Sequence, residues 1–294
     1  MRKQLVESVT KLLADDPRRV LLLGDIGVFG FRHAAAEFPD RVINVGILEQ
    51  ATVGMAAGMA MTGMRPIVHT IAPFLVERAY EQLKIDFGYQ KLSGTFISVG
   101  GSFDYAGLGC THHCPGDVSL IENIDEFSIF VPGHPDELAS ILEETKNNNS
   151  AQYIRLSEKS NSTPHVRSLY SQPTVVKEHP AGPTVLAVGP CLDMVKEATA
   201  DLPVTVLYTS SVRPFPYHEL KLQNPNIVVV EPYFSSQLAS RIARCHSTTD
   251  RPINARSFAI PRRFIDEYGD THRIAISLGF YAHALWTELK QWIK

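Results

Sequence analysis

The sequence has little of two features that mark specialised classes of protein. Its 28 basic and 31 acidic residues leave a net charge of −3, so it lacks both a basic footprint for nucleic acid and an acidic tail. It contains only four cysteines in 294 residues, which do not make a disulfide framework in a chain of this size. Nucleic acid is therefore not an expected partner, and disulfides are not expected to hold the fold.

Long apolar runs are also missing. Residues 1–7 lack the apolar core of a signal peptide, and the longest weakly polar run, 51–64, is too short and too rich in small residues to span a bilayer. We therefore expect a cytoplasmic protein with no membrane partner. Hydrophobic residues nevertheless make up 44% of the chain, which is enough to bury a core in each of two domains of ordinary size.

Short apolar strands alternate with amphipathic helices through the first half of the chain. This alternation predicts an α/β fold with a parallel sheet covered on both faces. Ligands of such sheets bind beyond the carboxyl ends of the strands, and the unusual residues of this sequence follow those ends. The strands are predicted at 20–23, 42–45, 66–70, 95–99, 128–131 and 152–156, and the helices that follow the first strand at 31–37, 50–61, 74–87, 118–124 and 136–145.

The second half repeats the α/β pattern on a smaller scale. Four further apolar strands are predicted at 184–188, 204–208, 227–230 and 254–258. A stretch rich in Ser, Pro, Thr and Gln separates the two halves and is typical of a linker. We therefore predict a first domain at 1–165, a linker at 166–180 and a smaller α/β domain at 181–294.

Residues 42–63 are predicted to form a strand, a turn and a helix, with Glu49 as the one carboxylate. A buried charge needs a partner or takes up a proton, so a carboxylate leading into a tightly packing helix favours a functional role. The alternative is that Glu49 only favours the positive end of its own helix, an effect of about 0.3–1 kcal/mol. Gly54 and Gly58 allow close backbone approach, which predicts self-association of the chain.

The segment Gly46-Ile-Leu-Glu-Gln50 resembles the Gly-Ile-x-Glu-x segment of the pyrimidine-binding domain in the transketolase family. This family shares the domain with deoxyxylulose-phosphate synthase and the beta subunits of 2-oxoacid dehydrogenases. The resemblance covers nearly the whole chain, including a transketolase C-terminal domain. It implies that Glu49 protonates the pyrimidine of thiamine diphosphate, so that the amino group of the cofactor can act as a base on the thiazolium carbon.

The same resemblance assigns further residues to the cofactor. Phe74 takes the position of an aromatic residue that stacks on the pyrimidine, although a phenylalanine at a helix start is more often a core residue. Ile47 and Ile71 are assigned to the cofactor-binding surface. Asp25 resembles a polar contact at the subunit interface of the family and is also expected near the cofactor, with a purely structural role as the alternative.

The Gly-rich loop 107–117 contains a segment that resembles Gly-x-Thr-His-Gln of the family. His112 inherits the catalytic histidine of the substrate cleft, and His113 replaces the usual glutamine. We expect His113, His69 and Glu158 on the substrate side. Zinc is an alternative for the loop, but structural zinc ligands are usually spaced by two or more residues and belong to a second pair, so no metal is expected in this chain.

The segment Gly24-Asp-Ile26 lacks the second glycine and the downstream asparagine of the motif that holds the diphosphate through a divalent ion. The resemblance therefore implies an amino-terminal partner subunit that holds the diphosphate and Mg²⁺, in an alpha2beta2 assembly acting on sugar or keto substrates. The implied reaction is two-carbon ketol transfer. The alternatives are a 2-oxoacid dehydrogenase beta subunit and a non-catalytic assembly subunit.

The acceptor is expected to lack a terminal phosphate. Members of the family that use sugar phosphates have an arginine near the position of Glu158 and a basic residue where this chain has Gly100-Gly-Ser102. A phosphate dianion would meet repulsion from Glu158 instead of a charge-assisted pair. Arg155 or Lys159 could compensate if the alignment shifts by one residue.

Overall fold

The computed structural model describes residues 1–166, 168–169, 171–247 and 252–293, which form two β-sheets covered by helices. This arrangement confirms the predicted α/β fold class. Arg167 and Tyr170 of the predicted linker lie outside the described residues. The strands are β1 (Arg19–Leu23), β2 (Val42–Asn44), β3 (Arg65–Ile71), β4 (Gly94–Val99), β5 (Ser128–Phe130), β6 (Ala151–Arg155), β7 (Thr174–Lys177), β8 (Thr184–Val188), β9 (Thr205–Thr209), β10 (Ser211–Arg213), β11 (Asn226–Phe234) and β12 (Asn254–Ile260).

The first sheet has seven strands in the order β10-β5-β6-β4-β3-β1-β2. Strands β1 to β6 are parallel, as the apolar runs predict. Strand β10, which comes from the second half of the chain, pairs antiparallel with β5 through Ser211 and Phe130. The second half therefore completes one edge of the first sheet, a connection that the sequence pattern did not indicate.

Both faces of this sheet are buried because successive side chains of a strand point to opposite faces. In β1, Val20 and Leu22 belong to one apolar core, and Leu21 and Leu23 belong to another. The core that contains Val20 continues to Leu186 of the second sheet. The loops at the carboxyl ends of the parallel strands are thus held on a well-packed base.

The second sheet has five strands in the order β12-β11-β8-β9-β7. Its strands are parallel except β7, which pairs antiparallel with β9. Strand β7 lies inside the predicted linker 166–180, so this part of the linker belongs to the second sheet. The limits of the two domains stay a prediction.

The segment predicted as one helix over 74–87 has an unusual form. It is π-helical at Pro73–Arg78 and again at Leu83–Tyr89, and π-helical turns are rare and frequent at functional sites. Within the described ranges, every helix is too short or too polar to cross a membrane. The α-helices are α1 (Arg2–Asp15), α2 (Arg32–Glu37), α3 (Glu49–Met61), α4 (Tyr80–Gln82), α5 (Asp117–Ile121), α6 (Pro135–Thr145), α7 (Leu192–Ala198), α8 (Leu238–Cys245), α9 (Thr271–Ser277) and α10 (Ala282–Ile293).

Candidate functional site

Glu49 is the first residue of α3 and follows a turn in which Gly46 has a φ of +84°. Glycine adopts this conformation without the steric cost that a side chain would add. The Glu49 side chain is 2% exposed, and its Oε2 accepts a hydrogen bond from Nη1 of Arg78 at 2.7 Å. The other oxygen, Oε1, is buried and has no hydrogen-bond partner among the described residues. One carboxylate oxygen is therefore left to interact with a ligand.

Arg78 connects Glu49 to Phe74. Its guanidinium carbon lies 4.3 Å from the centroid of the Phe74 ring, which is within the range of a cation–π interaction. Phe74 and Arg78 both belong to the π-helical segment Pro73–Arg78. Arg78 was not among the residues predicted from the sequence. The available signal was its place four residues after Phe74, a spacing that brings side chains together on a helix.

His112 contacts the same aromatic ring. Its imidazole meets Phe74 edge-on with the ring centroids 5.3 Å apart, and it meets Tyr105 edge-on at 6.3 Å. Its Nδ1 lies 2.9 Å from the hydroxyl oxygen of Thr111. The structure therefore brings three of the predicted residues, Glu49, Phe74 and His112, together at the carboxyl edge of the first sheet.

The loop that carries His112 is held at its base by Arg155. Ser102 and Cys114 exchange two backbone hydrogen bonds across the base of the loop. Nη2 of Arg155 donates to Oγ of Ser102 at 2.9 Å, and its Nε donates to Oδ2 of Asp117 at 2.7 Å. The Arg155 side chain is completely buried, so it is not available to a phosphate in the cleft.

No group of three or more His, Cys, Asp or Glu side chains in the described part of the chain could hold a metal ion. Burial lowers the pKa of the His113 imidazole, an effect that the backbone of Tyr105 partly offsets. The thiol of Cys114 donates to Oε1 of Glu77 at 3.5 Å, and burial raises the pKa of this thiol well above its usual value. Cys110 is exposed. The substrate role of His113 stays a prediction.

His69 and Asp25 lie at neighbouring strand ends, where the N–H of Gly24 donates to the carbonyl of His69. Nδ1 of His69 is 2.9 Å from the carbonyl oxygen of Ile97, and burial lowers the pKa of the imidazole to about 4. His69 is therefore neutral at pH 7, with Nδ1 donating to that carbonyl. Asp25 is exposed, with a φ of +65°, and its N–H donates to Oδ1 of Asn44 at 3.0 Å.

Ile47 and Ile71, both assigned to the cofactor, differ in exposure. Ile71 is buried at the end of β3, in the core against which Phe74 packs. Ile47 is 65% exposed, its neighbour Leu48 is 58% exposed, and Phe29, in the loop after the adjacent strand, is 79% exposed. Several exposed large apolar side chains at one edge of a sheet are typical of an interface with another protein or a ligand.

Glu158 is paired with an arginine from the start of α1. Nη2 of Arg2 lies 3.3 Å from Oε1 of Glu158 and donates to the hydroxyl of Tyr105 at 2.6 Å. A cavity of about 260 Å³ is lined by Arg2, Glu158 and Gly100. Arg2 was missed at the sequence level because an arginine in the first turn of an amphipathic helix carries no motif. The predicted charge at Glu158 therefore has an exposed cationic partner in Arg2.

Comparison with known proteins identifies a family and relatives. Residues 1–163 match the profile described as transketolase, pyrimidine binding domain. The chain is 42% identical over 265 residues to an uncharacterized 33.6 kDa protein in the fasciation locus of Rhodococcoides fascians, and the match covers 88% of this chain and 83% of that protein. It is 38% identical over 120 residues to one of the subunits of apulose-4-phosphate transketolase from Actinobacillus succinogenes, over 41% of this chain and only 39% of the relative.

A solved structure resembles nearly the whole chain. It is a split-gene transketolase described as an inactive beta4 tetramer, with a TM-score of 0.82, and the superposition covers 99% of this chain and 96% of that one. The two sequences are 22% identical, so this likeness concerns the fold alone.

Proposed function

The chain belongs to the transketolase family, and on that premise we propose that it is the carboxy-terminal subunit of a split transketolase-like enzyme. Transketolase-family domains bind thiamine diphosphate, and the proposed reaction is two-carbon ketol transfer or a related carboligation. The observation that carries the proposal is Oε1 of Glu49, which is buried and has no hydrogen-bond partner among the described residues. A buried carboxylate lowers the stability of the fold unless a cation or a hydrogen-bond donor pairs with it.

The residues around Glu49 fit the pyrimidine end of the cofactor. Oε1 of Glu49 is free to share a proton with a ring nitrogen, Arg78 holds Oε2, and Phe74 offers an aromatic ring for stacking. When bound, thiamine diphosphate supplies a thiazolium carbon that acts as a nucleophile toward a substrate carbonyl. Within this chain, Oε1 of Glu49 would share a proton with a nitrogen of the pyrimidine ring, while Ile47, Ile71 and Asp25 are proposed as further contacts.

His112 is proposed as the group that moves a proton at a substrate oxygen. Its edge-on contact with Phe74 supports this role, because Phe74 is proposed to stack on the pyrimidine and an imidazole can exchange protons near pH 7. We assign His69, His113 and Glu158 to the substrate side of the same cleft. His69 would act there as a neutral group, because its pKa of about 4 keeps it unprotonated at pH 7.

An amino-terminal partner is proposed to bind the diphosphate and Mg²⁺. In support, no group of three or more His, Cys, Asp or Glu side chains among the described residues could hold an ion, and Phe29, Ile47 and Leu48 are exposed apolar side chains that a partner would cover. The relative from Actinobacillus is named as one subunit of a transketolase, and the beta4 tetramer of the split-gene transketolase is described as inactive. We propose an alpha2beta2 assembly in the cytoplasm.

The proposed acceptor carries no terminal phosphate and is instead an amino- or hydroxy-bearing aldehyde. Arg2 is already paired with Glu158. A phosphate would have to displace this carboxylate from Arg2, and it would then lie close to the negative charge of Glu158. The relative from Actinobacillus is named for a phosphorylated sugar, which supports the opposite choice for that protein. The two possibilities predict opposite orders of kcat/KM for a phosphorylated aldehyde and its unphosphorylated counterpart.

Reconstitution with the amino-terminal subunit tests the proposed function. The chain alone is expected to bind thiamine diphosphate poorly in calorimetry, whereas the complex should copurify with the cofactor, identified by mass spectrometry, and should transfer ketol groups. Micromolar binding to the chain alone would contradict the division of the site between two subunits. Acylation of a lipoyl carrier would instead identify a 2-oxoacid dehydrogenase beta subunit, and a cofactor-bound complex without turnover would identify an assembly subunit.

A further inference from the structure

A cavity of about 100 Å³ lies between the two halves of the chain, outside the candidate site described above. Its walls come from the base of the His112 loop, the end of β6, and the helices α7 and α9. None of the residues assigned to the cofactor or to the substrate contributes to these walls. The cavity is therefore distinct from the proposed cofactor and substrate contacts, although Ser157 lines both this cavity and the one that contains Arg2 and Glu158.

Most of the wall is apolar. Phe103 and Phe280 are buried there, and Met194 contributes a flexible apolar side chain. An apolar cavity of this kind favours a ligand with an aliphatic body, because the ligand removes apolar surface from water and restores van der Waals contacts. Methionine adapts its shape to such ligands more easily than branched side chains do. The wall alone thus selects for a small aliphatic group.

Two residues of opposite charge line the same cavity, the part-buried Asp104 and the solvent-exposed Lys159, and they form no ion pair with each other. Oδ2 of Asp104 accepts a hydrogen bond from the N–H of Glu158 at 3.0 Å, while its Oδ1 has no hydrogen-bond partner in the described ranges. Lys159 also lines the cavity, and across the described residues its ammonium forms no ion pair within 4 Å. Burial raises the pKa of Asp104 to about 6, so this carboxyl is mainly ionised at pH 7.5. A ligand with both charges would satisfy both side chains.

We propose that this cavity binds a free α-amino acid with a small aliphatic side chain. The carboxylate of the ligand pairs with Lys159, its ammonium group donates to Oδ1 of Asp104, and its side chain packs among Phe103, Met194 and Phe280. Binding of the amino acid does not depend on the proposed transketolase activity. Because Asp104 also accepts from the N–H of Glu158, the ligand contacts a residue that is hydrogen-bonded to the candidate substrate site.

A ligand series on the unmodified chain tests the proposal. L-valine, isovalerate (valine without its amino group) and isobutylamine (valine without its carboxylate) are titrated into the full chain and followed by calorimetry and ligand-observed NMR. L-valine is expected to bind saturably, and each analogue at least tenfold more weakly, because each leaves one charged side chain without a partner. Equal affinity of either analogue, or no saturable binding of L-valine, would overturn the proposal.

Variants identify the cavity as the place of binding. Lys159→Met and Asp104→Asn are each expected to weaken L-valine at least tenfold, and Lys159→Met should also remove the preference for L-valine over isobutylamine. The matched control is Lys221→Met, which removes an exposed lysine that does not line the cavity and should leave affinity unchanged. Unchanged affinity in both cavity variants would place the amino acid elsewhere and contradict the proposal.

Discussion

Arg78 donates a hydrogen bond to only one oxygen of Glu49, at 2.7 Å, and leaves the other oxygen buried without a partner among the described residues. The arginine therefore compensates the charge of Glu49 without blocking its free oxygen. It also stacks on Phe74, so the acid and the ring that are proposed to contact the pyrimidine are held by the same guanidinium group. One oxygen of a buried carboxylate is thus left available to a ligand at the start of α3.

The first prediction concerns Glu49→Gln in the reconstituted complex. The amide keeps most of the shape of the carboxylate but cannot hold the proton for the pyrimidine, so turnover should fall about 10²–10⁴-fold while cofactor affinity changes little. Steady-state kinetics and exchange of the thiazolium proton measure the effect. Glu81→Gln, an exposed substitution in α4, is the control and should retain activity. A normal exchange rate in Glu49→Gln would contradict the assigned role.

The second prediction concerns the ion pair itself. Arg78→Met keeps an apolar contact with Phe74 but leaves Glu49 buried without its counter-ion, so the free energy of unfolding should fall by about 1–3 kcal/mol. The same substitution in the Glu49→Gln background should lower the free energy of unfolding by clearly less. Urea unfolding of the four proteins forms a double-mutant cycle that measures this coupling. Additive effects would show that the two side chains do not depend on each other.

The third prediction is a pH dependence of stability caused by His69. Burial lowers its pKa from 6.5 to about 4, so below pH 6.5 the unfolded chain takes up a proton that the folded chain does not. Stability is therefore fully present above pH 6.5 and declines as the pH falls toward 4, by a contribution on the order of 3 kcal/mol. In urea unfolding, His69→Gln should lose less stability than the wild type between pH 7.5 and 4.5, whereas the exposed control His33→Gln should follow the wild type.

The fourth prediction concerns Gly58, which is exposed on α3 and has no atom within 4 Å of the position that a Cβ would occupy. Gly58→Ala should stabilise the isolated chain by about 0.5–1 kcal/mol through helix propensity. Gly58→Met should weaken self-association or binding of the partner, because a long side chain prevents close backbone approach. Sedimentation velocity measures assembly, with the exposed Ser240→Met on α8 as the control. Unchanged assembly would exclude this face of α3 from the interface.

The fifth prediction concerns the acceptor. In the reconstituted enzyme, the kcat/KM for glyceraldehyde is expected to be at least tenfold higher than that for glyceraldehyde 3-phosphate, a difference of about 1.4 kcal/mol in the transition state. The reason is that Arg2 is already paired with Glu158 and is not free to bind a phosphate. Glu158→Gln frees Arg2 and should raise kcat/KM for the phosphorylated aldehyde. A tenfold preference of the wild type for the phosphorylated aldehyde would show that another basic group, from this chain or from its partner, holds the phosphate.

The family and the fold class could be anticipated from sequence, whereas the edge-on contact between Phe74 and His112 is seen only in the structure. Glu49 could be placed at a helix start because the apolar run before it and the glycine at position 46 act within a few residues of chain. The helix after Phe74 was anticipated, but its π-helical form was not, since hydrophobic spacing does not separate the two helix types. Arg78 and Arg2 carry no motif, and their partners lie far away along the chain.

Local pattern in the amino-acid sequence was sufficient for the strands and helices of the first half of the chain and for four strands of the second half, but it missed β7 and β10. Only the folded chain shows that β10 returns to the first sheet, that Arg155 is buried against Asp117, and that Arg78 meets Glu49. The physical reason is the distance along the chain over which each feature is determined. Secondary structure follows from spacing within a few residues, whereas the partner of a charge depends on which distant loops meet at the carboxyl edge of the sheet.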